Sequence, residues 1–212
     1  MTTNIENQAA LPKLYNSITN PQKKVLFLGY SQQQTTLLDD IASLNCEVWH
    51  TEEKITSTAS YDIVISYGYR HILKKEIIES SSAPIVNLHI SYLPWNRGAH
   101  PNFWSFYDCT PSGVSIHLID EGVDTGAVIF QKYVNFSDRE KTFSQTYKRL
   151  IIEIESLFRE NIECIINNTF TSHKQRRKGS YHKVADLPKE FSGWDSDILA
   201  EVTRLDKLLI NK

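Results

Sequence analysis

Short apolar runs alternate along the chain with stretches of helical spacing. KKVLFLGY (23–30) closes on a glycine, and SQQQTTLLDDIASL (31–44) follows with Leu37, Leu38, Ile41 and Leu44 on one stripe, which predicts a strand and its crossover helix. CEVWHT (46–51) and YDIVISYGY (61–69) predict a second and third strand, RHILKKEIIES (70–80) a helix, and APIVNLHI (83–90) a fourth strand. HPNFWSFYDC (100–109) predicts a short helix with Pro101 in its first turn. SGVSIHLID (112–120) and AVIFQKYVNF (127–136) predict a strand pair joined by DEGVDTG (120–126), whose glycines and aspartates favour a turn. Residues 139–167 read as one amphipathic helix packed on the sheet, with Phe143, Tyr147, Leu150, Ile151, Ile154, Leu157, Phe158, Ile162 and Ile165 on its buried face. A basic loop, HKQRRKGSYHK (173–183), and a helix near 195–210 complete the chain.

Strands alternating with helices predict an α/β fold: a Rossmann-like, mostly parallel sheet with helices on both faces and ligands at the carboxyl ends of the strands. The expected organisation is an N-terminal extension at 1–22, a core at 23–167 and a C-terminal extension packing on that core at 168–212. The length of 212 residues suits one such domain.

Charge narrows the partners. Lys and Arg number 23 against 25 Asp and Glu, so no overall field favours nucleic acid and any anion site is local. No apolar run approaches the roughly 20 residues that cross a bilayer, and the polar start MTTNIENQAALPKLYNSITNPQKK has no signal-peptide core. A cytoplasmic protein without a membrane partner is expected. Cys46, Cys109 and Cys164 are scattered and outside CxxC spacing, so they read as small buried apolar residues.

The polar residues that end the fourth strand raise a chemical question. Asn87 and His89 are two apart, so a strand turns both to the same side, into the expected crevice. Either one alone is commonly a satisfied polar residue at a strand end. Together, an amide donor beside a protonated imidazole suits an oxyanion. A histidine kept charged wants a carboxylate, and Asp124, on the glycine-flanked turn, is the candidate. His117 shares a strand face with Ser115 and reads as a core or supporting residue. His89, His100 and His117 lack the spacing or cysteine partners of a zinc site, so no metal is expected.

NLHISYLPWNRGAHP (87–101), followed by GVSIHLIDEGVDTGAVIFQ (113–131), resembles the catalytic core of the 10-formyltetrahydrofolate-dependent formyltransferases. The resemblance runs from about residue 23 to 136 and implies an Asn87, His89 and Asp124 catalytic constellation. It also implies 10-formyltetrahydrofolate as formyl donor, with contacts from Tyr69, Arg70 and Ile72 in SYGYRHIL (66–73) and from Asp120 and Val123 in the DEGVDTG loop. Asn87 and charged His89 would stabilise the oxyanion while an amine attacks the formyl carbon, with Asp124 holding His89 and assisting the proton's passage.

Three branches of that family fit poorly. A methionyl-tRNA formyltransferase adds a C-terminal tRNA-binding barrel, for which the residues after 167 leave little room. The enzyme that formylates glycinamide ribonucleotide carries a Gly-rich phosphate loop where this chain reads GYSQQQT (29–35). A deformylase would carry an extra N-terminal domain. WNRGAHPNFW (95–104) and KGSYHKVADLP (178–188) look like the sugar N-formyltransferase branch. Aromatics beside cations suit a nucleotide-linked amino sugar: Trp95, Trp104 or Tyr181 would cover the base or sugar, and Arg97, His182 or Lys183 would meet the diphosphate. The resemblance implies a dTDP-4-amino-4,6-dideoxyhexose acceptor and a homodimer. A solvated basic loop is the plain reading of KQRRKGSYHK. Glycinamide ribonucleotide formylation, or a folate- or nucleotide-binding module without turnover, are the alternative readings.

Overall fold

The computed structural model describes residues 11–210. Residues 1–10 of the expected N-terminal extension, and the last two residues of the C-terminal one, lie outside the described residues. Packing divides the chain into two units, the first comprising residues up to Asn87 with Ile162–Thr169, the second Leu88–Asn161 with Phe170 onward.

In the first unit, β1 (Lys13–Leu14) precedes β2 (Lys23–Gly29), α1 (Leu37–Ala42), β3 (Cys46–Thr51), β4 (Ile63–Tyr67), α2 (Lys75–Ser80) and the start of β5 (Ile85–His89). β2 pairs in parallel with both β3 and β4, with Val25 opposite Val48 and Ile63. Val25, Leu26, Phe27 and Leu28 are fully buried, as a central parallel strand covered on both faces requires. Gly29 closes the strand at φ 107°, where a Cβ would lie 2.1 Å from the Tyr67 carbonyl oxygen. The N-terminal extension is partly sheet: β1 lies antiparallel to β3, and the Asn16 side chain bonds main-chain groups of Cys46 and Val48.

Both helices of this unit are shorter than expected. Residues 31–36 form a turn, with the Gln34 side chain accepting the Ser31 amide, so α1 is confined to six residues. Thr35 Oγ1 likewise accepts from the Leu37 amide at 3.2 Å, a local side-chain bond of the kind that competes with a helix. The stretch from Arg70 to Leu73 is likewise not helical, and α2 starts at Lys75.

The second unit continues with β6 (Arg97–Gly98), α3 (Pro101–Tyr107), β7 (Gly113–Leu118), β8 (Val128–Tyr133), α4 (Phe143–Ile166), β9 (Tyr181–His182), a 3₁₀ turn at Val184–Asp186 and α5 (Ile198–Ile210). The last turn of α4 belongs to the first unit. β7 and β8 are antiparallel, with a bulge between Ile116 and His117. Seven strands run in the order β1-β3-β2-β4-β5-β7-β8 in one mostly parallel sheet, while β6 and β9 pair in parallel as a separate ribbon.

Phe103 and Trp104 from α3, Phe143 from α4 and Leu205 from α5 form an aromatic core, with Phe191 packed against it. Leu205 and Phe191, from the last stretch of the chain, thus share one core with α3 and α4. Along α4 the predicted buried face is correct at Phe143, Leu150, Ile154, Leu157, Phe158 and Ile165, but Tyr147 is 39% exposed. Buried polar residues share that face. Thr146 donates to the Asn102 carboxamide oxygen at 3.0 Å, and Glu153 accepts from Arg149 at 2.7 Å and pairs with Lys132 at 2.6 Å. Cys46 is buried as expected, whereas Cys109 is exposed, because it sits at φ 50° on the turn that ends α3. No helix among the described residues is long and apolar enough to cross a membrane.

Candidate active site

Asn87 and His89 occupy alternate positions of β5, so the pleat turns both side chains to one side. β7 presents His117 just past its bulge, which re-aims that side chain at the strand's end. Asp124 comes from the connection between β7 and β8. In that turn the Asp120 carboxylate accepts from the Gly122 amide at 3.1 Å and the Thr125 hydroxyl at 2.5 Å. Asp124 has φ 52°, left-handed backbone that costs a residue with a Cβ roughly 1–2 kcal/mol. The Gly98 amide donates to its Oδ2 at 2.8 Å.

One carboxylate therefore faces two imidazoles. His89 Nε2 lies 3.6 Å from Asp124 Oδ2, and His117 Nε2 lies 3.4 Å from Asp124 Oδ1, with the two rings nearly perpendicular. His117 Nδ1 donates to the Leu118 carbonyl at 2.7 Å. His89 bonds the Asn96 main chain, and its buried Nε2 has no hydrogen bond among the described residues.

Electrostatics separates the two partners of Asp124. Burial pushes the His89 imidazole below the ordinary histidine range; Asp124 raises it, but the charge of His117 opposes that gain. Taking this ring out of water disfavours its cation more than one shared carboxylate favours it. Burial by itself would raise Asp124, yet His89, the His117 hydrogen bond and charge, and the Gly98 amide hold its carboxyl well below the usual carboxylate range. The site holds an ionised carboxylate and a neutral, buried imidazole whose open nitrogen faces it.

The remaining candidates divide. Tyr69 is half-buried, its hydroxyl donating to the Glu53 carbonyl at 2.8 Å; Arg70 is exposed and Ile72 is 85% exposed. Asp120 is exposed and spends Oδ1 on the turn, and Val123 is 38% exposed on the same loop.

β6 and β9 place the two expected acceptor segments side by side, Arg97 against Tyr181 and Gly98 against His182. Within them, three of the expected acceptor residues have partners inside the protein. Trp104 is 6% exposed, built into the aromatic core and stacked on His182 at 3.8 Å. His182 Nε2 lies 2.9 Å from an Asp108 carboxylate oxygen, which places a negative charge where a diphosphate was expected. The Arg97 guanidinium donates to the main-chain carbonyls of Lys178 and Ser180, holding its own chain. Trp95 is half-buried, while Tyr181 and Lys183 are exposed.

Sequence reasoning missed a cavity of about 460 Å³ that starts at Ile90, the residue after His89. Pro101, Phe143, Tyr147 and Trp194 make its apolar walls, and His100, Asn102, Ser144 and Lys148 supply polar groups. Trp194 leans on the His100 ring at 5.3 Å, and its carbonyl accepts from the Ser144 amide at 2.7 Å. A tyrosine within the mainly apolar face of α4, Tyr147, was the available signal.

The described residues contain no cluster of three or more His, Cys, Asp or Glu able to hold a metal ion. Residues 41–162, more than half of the chain, match the family model described as formyl transferase. A methionyl-tRNA formyltransferase from Thermodesulfovibrio yellowstonii is 34% identical over 122 residues, which cover 57% of this chain and 39% of that protein. The chain spans less than half the length of such curated relatives. The formyltransferase PseJ from Anoxybacillus kamchatkensis, solved in complex with UDP-4,6-dideoxy-4-formamido-L-AltNAc and tetrahydrofolate, superposes with a TM-score of 0.77 at 40% identity, over 83% of this chain and 96% of that one. An N-formyltransferase from Helicobacter canadensis, solved with folinic acid and dTDP-3-aminofucose, gives a TM-score of 0.65 at 24% identity over 77% of this chain and 72% of that one, a likeness of fold alone. The α/β sheet, the histidine pair facing Asp124 and the matched segment lead to one assignment: the chain belongs to the formyl transferase family.

Proposed function

We propose that this chain transfers a formyl group from 10-formyltetrahydrofolate to the amine of a nucleotide-linked 4-amino-4,6-dideoxyhexose. The observation that carries the chemistry is the buried His89 with Nε2 3.6 Å from an Asp124 carboxylate oxygen, two residues after Asn87 on the same strand. The 40% identity with PseJ supports the amino-sugar acceptor, and favours UDP over the dTDP expected from the sequence.

The donor brings an activated formyl group; the protein's contribution is placement, charge and proton management. The Asn87 amide donates to the formyl oxygen as charge develops there, a contact that strengthens towards the transition state. His89 Nε2 accepts the proton released by the attacking amine. The imidazolium so formed faces the Asp124 carboxylate and adds a positive charge beside the oxyanion; the proton then passes to the leaving nitrogen. His89 is thus charged during the reaction and neutral before it. Its main-chain bond to Asn96 fixes the ring, so that the open nitrogen is the one presented. Tyr69, Arg70, Ile72, Asp120 and Val123 keep their proposed role as folate contacts. The cavity beyond Ile90 is the proposed acceptor pocket, with Trp194 and Tyr147 as apolar cover and Lys148 towards phosphate.

A product assay by mass spectrometry tests this reading. The protein is incubated with 10-formyltetrahydrofolate and, separately, UDP- and dTDP-linked 4-amino-4,6-dideoxyhexoses, glycinamide ribonucleotide and methionyl-tRNA. A formamido sugar formed fastest with the UDP-linked acceptor is the expected result. Formylation only of methionyl-tRNA or glycinamide ribonucleotide, or of nothing, overturns it.

A further inference from the structure

Asp124 owes its position to a residue from the far end of the chain. Its carboxylate is held by Gly98, but its left-handed backbone needs a restraint of its own. Gln175 Nε2 donates to the carbonyl oxygens of both Asp124 and Gly126, each at 2.8 Å. Both partners only accept, so chemistry fixes which end of the carboxamide faces the loop. Gln175 Oε1 is buried without a hydrogen bond among the described residues, so nothing on that side competes for its orientation.

The segment carrying Gln175 is tied at both ends. His173 exchanges main-chain bonds with Val128 at 2.8 and 2.9 Å, at the foot of the hairpin that bears Asp124. Further on, β9 pairs with β6, and Gly98 of β6 supplies the amide that holds the Asp124 carboxylate. Gly98 has φ 85°, and a Cβ there would meet the His182 carbonyl oxygen at 2.3 Å, so the two strands close without a side chain between them. Residues 173–182 therefore act on Asp124 twice, on its main chain through Gln175 and on its carboxylate through Gly98. Lys174, Arg176, Arg177 and Lys178 around Gln175 are all exposed; the neutral amide alone turns inward.

We propose that Gln175 is a positioning residue that sets the aim of Asp124 at His89. The inference rests on the formyl-transfer reading for its kinetic part only. Gln175→Ala should lower kcat roughly ten- to a hundred-fold, as small displacements of reacting groups do, while KM for donor and acceptor changes less than about two-fold. In an Asp124→Asn background the same substitution should cost less than about two-fold, because there is no carboxylate left to aim. A substrate-free readout separates this idea from the assigned reaction: by NMR titration, His89 should take its proton at lower pH in Gln175→Ala than in the parent, since a displaced carboxylate supports the imidazolium less. Gln175→Leu, which fills the same space without a donor, should do the same and serves if the alanine variant does not fold. An unchanged His89 titration in either folded variant, or equal kcat losses with and without Asp124, would overturn the proposal. Absence of formyl transfer to every acceptor alongside a shifted His89 titration would instead sink only the assigned reaction.

Discussion

Asp124→Asn is expected to fold normally and to lower kcat roughly 10²–10⁴-fold, the range over which a positioned acid–base group contributes. The substitution keeps size and the capacity to accept the Gly98 amide, so the loop should stay in place. What it removes is the charge that the His89 imidazolium faces once the proton has moved. The loss should appear in kcat, with little change in KM, because that pairing exists only as the reaction proceeds. Steady-state kinetics with saturating donor checks it, and circular dichroism confirms the fold. A loss confined to KM would place Asp124 in binding instead.

His89→Gln should cost about as much as Asp124→Asn, on the same scale of roughly 10²–10⁴-fold in kcat. Glutamine can still donate a hydrogen bond but cannot take the amine's proton. The double variant separates a working pair from two independent contributors. If His89 and Asp124 act as one unit, His89→Gln with Asp124→Asn should be barely slower than either single variant, whereas independent roles would multiply the losses. His117 faces the other oxygen of the same carboxylate, so in His89→Gln it keeps Asp124 from being an isolated buried charge.

Strands β2 to β5, β7 and β8 were legible because each is an apolar run long enough to be buried on its own account. β1, β6 and β9 were not, since two-residue strands are made by partners distant in sequence: Lys13 opposite His50, and Arg97 opposite Tyr181. Helical spacing overran α1 and α2 because Ser31 and Gln34 close a local turn that periodicity ignores. Within the candidate site, the i, i+2 spacing of Asn87 and His89 and the glycine-flanked Asp124 were readable, and coordinates place Asp124 beside His89. The resting charge of His89 was not readable, because it depends on burial and on sharing one carboxylate with His117. Trp104 packs with Phe103, Phe143 and Leu205, a contact its place in WNRGAHPNFW does not show. Gln175 carried no signal at all: a neutral amide bonding two carbonyls leaves no pattern in composition or spacing.

NMR titration of the His89 ring in the parent and in Asp124→Asn tests the central claim most directly. The unperturbed histidine value is about 6.5. In the parent His89 should titrate below it, since burial outweighs Asp124, and in Asp124→Asn it should titrate lower still, because the one charge that favours its cation is gone. A His89 that titrates at or above the unperturbed value, or that is indifferent to the loss of the Asp124 charge, would contradict the account.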